Sequence, residues 1–240
     1  MIGVIGGIGP EAGNYLHSLI IKNTNAQNDR EHLNVIVYSA NNIPDRSSFL
    51  ENASQINPAY TIITIIKKLT DLGVNFIIIA CNQVYAPSIF GIITKHYENT
   101  DVKIANVISE TLKQIKKTNA KKIGILSRTG LYKNRIFESH SDSLNYEFLY
   151  LEKNNQDILD KTIGDKTFGI KAGYHLVSNQ PKKIVLSSIE QLIRKGAEVI
   201  VLACTELALV LDKSIYEKYS LLDTNEILAK ASVKYFGKLK

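Results

Sequence analysis

Five consecutive apolar residues, Phe76 to Ala80, follow Gly73-Val74-Asn75 and end at Cys81-Asn82. A second run has the same form: Gly196-Ala197-Glu198, then Val199 to Ala203, ending at Cys204-Thr205. The two align without a gap as glycine, apolar, polar, five apolar residues, cysteine, polar. Runs that are apolar throughout predict central strands of parallel sheets, covered on both faces. An amphipathic helical pattern precedes each, over Tyr60 to Leu72 and Ile184 to Lys195. Gly73 and Gly196 then fall just past a helix end, where φ > 0 is wanted. Upstream, Ile2-Gly3-Val4-Ile5-Gly6 matches Lys122-Ile123-Gly124-Ile125-Leu126-Ser127, both short β-rich runs. Gly3 to Cys81 is 78 positions and Gly124 to Cys204 is 80.

The chain is therefore expected to contain itself twice. The predicted class is α/β: two similar α/β domains with parallel sheets related by a pseudo-two-fold, and an active-site cleft between them. The expected N-terminal domain is residues 1–107 plus 215–240, and the C-terminal domain is 108–214. The boundary is placed near Ala105 to Ser109, where a strand over Val102 to Ala105 gives way to a helix over Glu110 to Lys117. A last helix, about Asn225 to Phe236, is expected to pack back on the first half.

Both cysteines end central strands, and ligands of open parallel sheets bind beyond the strands' carboxyl ends. Each precedes a turn or helix start, whose N–H groups favour an anion and lower a thiol pKa below about 8.5. If the halves face each other across a cleft, the thiols flank a small molecule. That suits chemistry that removes a proton from one face of a carbon and returns one to the other. Buried inert cysteine is the alternative for either thiol alone, and the duplication argues against it for both.

Composition narrows the field. The 240 residues are 45% hydrophobic and 22% charged, an ordinary globular mix that allows one large or two small domains. Two cysteines make no secreted disulfide scaffold, and neither has the closely spaced partner of a zinc site. No apolar run approaches the roughly 20 residues of a membrane span. The opening residues carry no basic stretch or cleavage site, so no signal peptide is expected there, and two free thiols suit a cytoplasmic protein. The net charge of +6 comes from scattered lysines such as Lys67-Lys68 and Lys121-Lys122. Without clustering or interleaved aromatics no nucleic-acid partner is expected, although the mild positive field favours an anionic metabolite. His17, His32, His96, His140 and His175 are scattered and receive no catalytic role. Gly7-Ile8-Gly9-Pro10-Glu11-Ala12 fits a dinucleotide fingerprint, but the run Asn34 to Ser39 ends in Ala40-Asn41-Asn42 without the acid that would hold a ribose.

An ordered set of segments resembles the aspartate/glutamate racemase family, nearest its aspartate branch, over almost the whole chain. The set is Gly6-Gly7-Ile8-Gly9-Pro10, Ile43-Pro44-Asp45-Arg46, Ala80-Cys81-Asn82, Ala203-Cys204-Thr205-Glu206-Leu207 and Asp223-Thr224. The resemblance implies cofactor-independent racemisation of an acidic amino acid, with Cys81 and Cys204 as opposed acid/base groups. It gives Arg46 a substrate carboxylate, a task for its planar fork. Lys171, with Lys166 as a competing choice, would assist with the distal carboxylate. Asn82 and Thr205 would hold the α-carboxylate, Gly9 would belong to the binding loop, and a homodimer without metal or pyridoxal phosphate is implied.

Three departures bear on the substrate. Gln83 stands where the family has a small hydroxyl residue, placing an amide in the substrate-contacting shell. Tyr85 replaces a histidine. Arg128, in Ser127-Arg128-Thr129-Gly130, adds a positive charge near the expected cleft mouth. The cysteines still support proton transfer, while a larger or differently charged substrate stays open. So do two other classes: a cysteine-dependent isomerase or lyase of another small carboxylic acid, and a catalytically silent ligand-binding homologue.

Overall fold

The computed structural model describes residues 1–53, 55–141 and 145–238. The chain divides into two compact units, Met1–Glu110 with Asn225–Lys240, and Thr111–Thr224.

The first unit opens with β1 (Ile2–Gly6), α1 (Pro10–Asn23), β2 (Val35–Ser39), α2 (Arg46–Glu51), α3 (Pro58–Asp71) and β3 (Phe76–Ile79). It continues through α4 (Pro87–Tyr97), β4 (Lys103–Ile104) and the start of α5 (Val107–Thr118). Its sheet has the order β2-β1-β3-β4, all parallel, with Ile2 opposite both Val35 and Phe76. Every residue of β1 and β3 is buried, as their unbroken apolar runs require.

The second unit holds β5 (Lys122–Leu126), α6 (Thr129–Lys133), β6 (Glu147–Leu149), α7 (Lys153–Gly164), α8 (Gln180–Arg194), β7 (Val199–Leu202), α9 (Lys213–Lys218) and β8 (Leu221–Asp223). Its sheet order is β6-β5-β7-β8, again all parallel. Counted from the first strand of each unit, the two orders are the same. The duplication seen in the residues is a duplication of topology.

The matching glycines have matching work. α3 buries Ile62, Ile65, Ile66 and Leu69 and ends in a Schellman motif. Val74 N–H donates to Leu69 O at 3.0 Å and Gly73 N–H to Thr70 O at 2.9 Å, with Gly73 at φ 84°. α8 ends identically: Ala197 N–H to Leu192 O at 3.0 Å, Gly196 N–H to Ile193 O at 2.8 Å, Gly196 at φ 95°. Gly3 and Gly124 let these helices lie close to the sheets. A Cβ at Gly3 would meet Leu69 Cδ1 of α3 at 3.1 Å and the Val74 side chain just past it at 2.8 Å, and one at Gly124 would meet Leu192 Cβ of α8 at 3.2 Å and Ile200 Cδ1 of β7 at 2.5 Å.

The helices begin earlier than their apolar stripes suggest. α8 starts at Gln180 rather than Ile184, because Pro181 is tolerated in a first turn. α5 starts at Val107 because the Asn106 side chain accepts from the N–H groups of Ile108 and Ser109, at 3.0 and 3.1 Å. The last helix, α10 (Thr224–Tyr235), returns to the first unit. The ring of Tyr235 lies 4.4 Å from that of Phe76, and the Phe236 ring 5.6 Å from it.

Candidate functional site

In the first unit the residues singled out gather beyond the carboxyl ends of the strands. The loop after β1 needs glycine: Gly7 is at φ 82°, and a Cβ there would lie 2.2 Å from Ala40 N. Gly9, at φ 110°, precedes Pro10 at the start of α1. Cys81 follows β3 in extended backbone, is buried, and leads into a 3-10 turn over Asn82–Tyr85 whose four residues are all buried.

Arg46 opens α2, which Asp45 caps by accepting from Ser48 N–H at 2.8 Å. The arginine is only 6% exposed. Its Nη1 donates to Pro44 O at 3.1 Å, and the half-exposed Asp45 carboxylate lies 4.0 Å away. Arg46 Nε is buried without a hydrogen-bond partner among the described residues. Next to it in sequence, Ser47 Oγ donates to Gln83 Oε1 at 3.2 Å. The amide nitrogen of Gln83 is likewise buried without a partner among the described residues. Two elements that touch through Ser47 and Gln83 thus carry two unused buried donors, one of them cationic. A buried cation so weakly compensated is costly until an anion joins it.

Tyr85, read above as the replacement of a family histidine, is fully buried. Its hydroxyl donates to Ala105 O at 3.0 Å, with Ile79 O at 3.5 Å, so it braces the ends of β3 and β4. Burial pushes its phenol above the usual range, and it stays a neutral donor.

In the second unit Cys204 follows β7 at the position that Cys81 holds after β3. Its Sγ donates to Glu206 Oε2 at 3.1 Å, and Thr205 Oγ1 donates to the same oxygen at 2.9 Å. Lys171, from a 3-10 turn over Ile170–Ala172, places Nζ 3.3 Å from Glu206 Oε1. Glu206 is 3% exposed. Burial tends to push its carboxyl up, but the Lys171 charge and the two hydrogen bonds outweigh this, and it lies below the usual range.

These contacts correct one expectation. A strand-end thiol should have a lowered pKa, but burial first, and the Glu206 carboxylate second, hold Cys204 well above the ordinary thiol value. Cys204 rests protonated, with the Glu206 carboxylate in hydrogen-bond reach. Lys171, expected near a substrate carboxylate, lies within ion-pair distance of Glu206. Lys166 is exposed. The charge brought by Arg128 is matched by Asp160, whose Oδ1 lies 4.0 Å from its Nε, and its guanidinium packs over Gly164.

The structure thus joins Arg46 and Gln83 through Ser47, and Lys171, Cys204 and Thr205 through Glu206. Ser47 and Glu206 had no role in the sequence reading. Glu206 stands inside the quoted Cys204 motif, and a carboxylate two residues beyond a strand-end cysteine was the available signal. Among the described residues no group of three or more His, Cys, Asp or Glu side chains is placed to hold a metal, and no helix is long and apolar enough to cross a membrane.

The architecture has known counterparts. The aspartate racemase of Picrophilus torridus superposes with a TM-score of 0.82 at 23% identity, covering 100% of this chain and 95% of that one. An aspartate racemase homologue from Pyrococcus horikoshii OT3 gives 0.73 at 20% identity, with 98% of each chain covered. In sequence, the broad specificity amino-acid racemase RacX of Bacillus subtilis is 24% identical over 249 aligned residues, 98% of each protein. The two repeated parallel sheets define an α/β fold that matches the two-domain architecture of aspartate and glutamate racemase structures. The profile of the Asp/Glu/Hydantoin racemase family matches residues 5–232, and the chain belongs to that family, as an amino-acid racemase independent of pyridoxal phosphate.

Proposed function

We propose that the chain racemises an acidic amino acid, aspartate or glutamate, with Cys81 and Cys204 as acid and base on opposite faces of the α-carbon. The observation that carries this reading is a thiol just past the carboxyl end of the third strand in both units. One thiolate takes the α-proton while the other thiol supplies one to the opposite face, and the roles exchange for the other enantiomer. The unused donors of Arg46 and Gln83 favour a substrate with a second carboxylate. Asn82 and Thr205 are the groups for the α-carboxylate and for the charge that develops on it, and the Gly9 loop completes the binding set. The protein works in the cytoplasm as a homodimer, without cofactor and without a nucleic-acid or membrane partner.

The test is proton NMR of D- and L-aspartate and glutamate, then of neutral and basic amino acids, in D2O with reduced protein. Loss of the α-proton signal from both enantiomers of an acidic amino acid is the expected result. No exchange with any amino acid would leave an isomerase or lyase of another small acid, or a binding protein. Cys81→Ser and Cys204→Ser should each abolish racemisation, followed by chiral chromatography. Each should still exchange the α-proton of one enantiomer, with retention, through its surviving thiol. Full racemisation by either variant would sink the two-thiol scheme.

A further inference from the structure

Two residues of the first unit, both outside the segments that carry the family resemblance, are tied to each other. Gln83 stands two residues past Cys81, in the buried turn that follows β3. Ser47 comes directly after Arg46 in α2. Ser47 Oγ donates to Gln83 Oε1 at 3.2 Å, so the oxygen end of the amide is taken. The nitrogen end is buried and has no partner among the described residues. Gln83 is 8% exposed, so little water reaches it. An unpaired buried donor destabilises the empty protein, and an acceptor on a bound molecule relieves it. Arg46 Nε, one residue from Ser47, is a second such donor.

We propose that Ser47 is a positioning residue and Gln83 a specificity-determining one: the Ser47 hydroxyl fixes the amide so that only its N–H end faces the substrate, and the site thereby selects a side chain ending in a carboxylate over the corresponding carboxamide. The proposal rests on the racemase reading above. An amide turned by 180° exchanges a donor for an acceptor with almost no change of shape. A free glutamine therefore accepts from asparagine as readily as it donates to aspartate. Held by Ser47, Gln83 offers donors alone, as the Arg46 guanidinium does. A carboxylate meets both with oxygens, whereas a carboxamide sets its own NH2 group against one of them. A small hydroxyl, which the family has at this position, both donates and accepts. The selectivity comes with the glutamine and its tie to Ser47.

Equilibrium binding to the reduced full chain, by titration calorimetry, tests this without turnover. The probes are L-aspartate against L-asparagine and L-glutamate against L-glutamine. Two buried donors, each worth about tenfold toward a carboxylate, should make the parent prefer the acid by at least about 100-fold in the better pair. Ser47→Ala frees the amide and should narrow that ratio about tenfold, chiefly by tighter binding of the carboxamide. Ser47→Thr keeps the hydroxyl and should keep the ratio. Gln83→Glu leaves the oxygen that Ser47 holds and turns the free end into an acceptor, so it should weaken the acid by at least about 100-fold while sparing the carboxamide. The ratio within one variant does not depend on its folded fraction, so partial unfolding does not imitate the effect. A Ser47→Ala ratio equal to that of the parent overturns the proposal, as does a parent that prefers neither partner or binds none of the four.

The second measurement is α-proton exchange of the acid in D2O, with the carboxamide added as competitor. In Ser47→Ala the carboxamide should inhibit about tenfold more strongly, with kcat for the acid unchanged, because the hydroxyl acts on recognition through Gln83 and not on proton transfer. A lowered kcat with unchanged inhibition would mean that Ser47 only shapes the turn beside Cys81, and would overturn the proposal. A parent that exchanges no amino acid, while its binding ratio still responds to Ser47→Ala, ends the racemase reading and leaves the role of Ser47 standing.

Discussion

Arg46 is the residue at which stability and binding pull apart. Its guanidinium is buried with one backbone acceptor and a half-exposed carboxylate 4.0 Å away. A buried charge so placed destabilises the empty protein, and replacing it with an apolar side chain of similar reach relieves the cost. Arg46→Met should therefore keep or raise the melting temperature. It should also raise the KM for an acidic substrate by at least about tenfold, the range of a charge-assisted hydrogen bond. A lower melting temperature with an unchanged KM would contradict both halves of the argument. At this scale the sequence was partly legible. The Ile43-Pro44-Asp45-Arg46 segment pointed to Arg46, and the substitution at position 83 pointed to Gln83. The partner of each buried group was not legible, because it depends on how a turn folds back. Glu206 turns toward Cys204 rather than outward, and Tyr85 spends its hydroxyl on Ala105, for reasons of local backbone geometry.

Among the elements, strand and cap positions were readable because they obey strong rules. An unbroken apolar run bounded by a helix-ending glycine fits little other than a central parallel strand. β6 went unread because three half-buried or exposed edge residues make no periodic pattern. The glycines separate two physical causes. Gly3→Ala and Gly124→Ala force a methyl group into side chains 2.8 and 2.5 Å away, and each should cost about 1–3 kcal/mol by overpacking. Gly73→Ala meets nothing within 4 Å but keeps φ at 84°, so its cost should be about 1–2 kcal/mol from backbone strain alone. Urea unfolding of the three variants checks this. Equal stability of Gly124→Ala and the parent would contradict the close packing of α8 on its sheet.

Across the whole molecule, acid should act unevenly. Asp212, hydrogen-bonded by Lys182 and Ser214, has its carboxyl held down to about 2. Glu152, Asp165, Glu198 and Glu206 are also lowered, by hydrogen bonds or ion pairs. All five lie in the Thr111–Thr224 unit. A depressed carboxyl makes the unfolded state bind more protons, so its contribution is present above the unfolded pKa near 4 and is lost as pH falls through the folded one. Between about pH 4 and 2 the second unit should lose amide protection before the first, as read by hydrogen exchange. Simultaneous loss in both units would contradict this. The duplication was visible at this scale in the sequence because both copies kept the same glycine, strand and cysteine.

The route of the chain has a consequence for synthesis. The second unit is inserted in the first, whose last residues, Asn225–Lys240, carry the rings that cover Phe76. On the ribosome, Met1–Glu110 emerges first and must wait while Thr111–Thr224 is made. At about 5–20 residues per second that wait is on the order of ten seconds. The later-coded unit has all its residues available before the earlier-coded one does. Completion runs against the order of translation, and the newborn first unit carries an uncovered Phe76 ring until Tyr235 and Phe236 arrive.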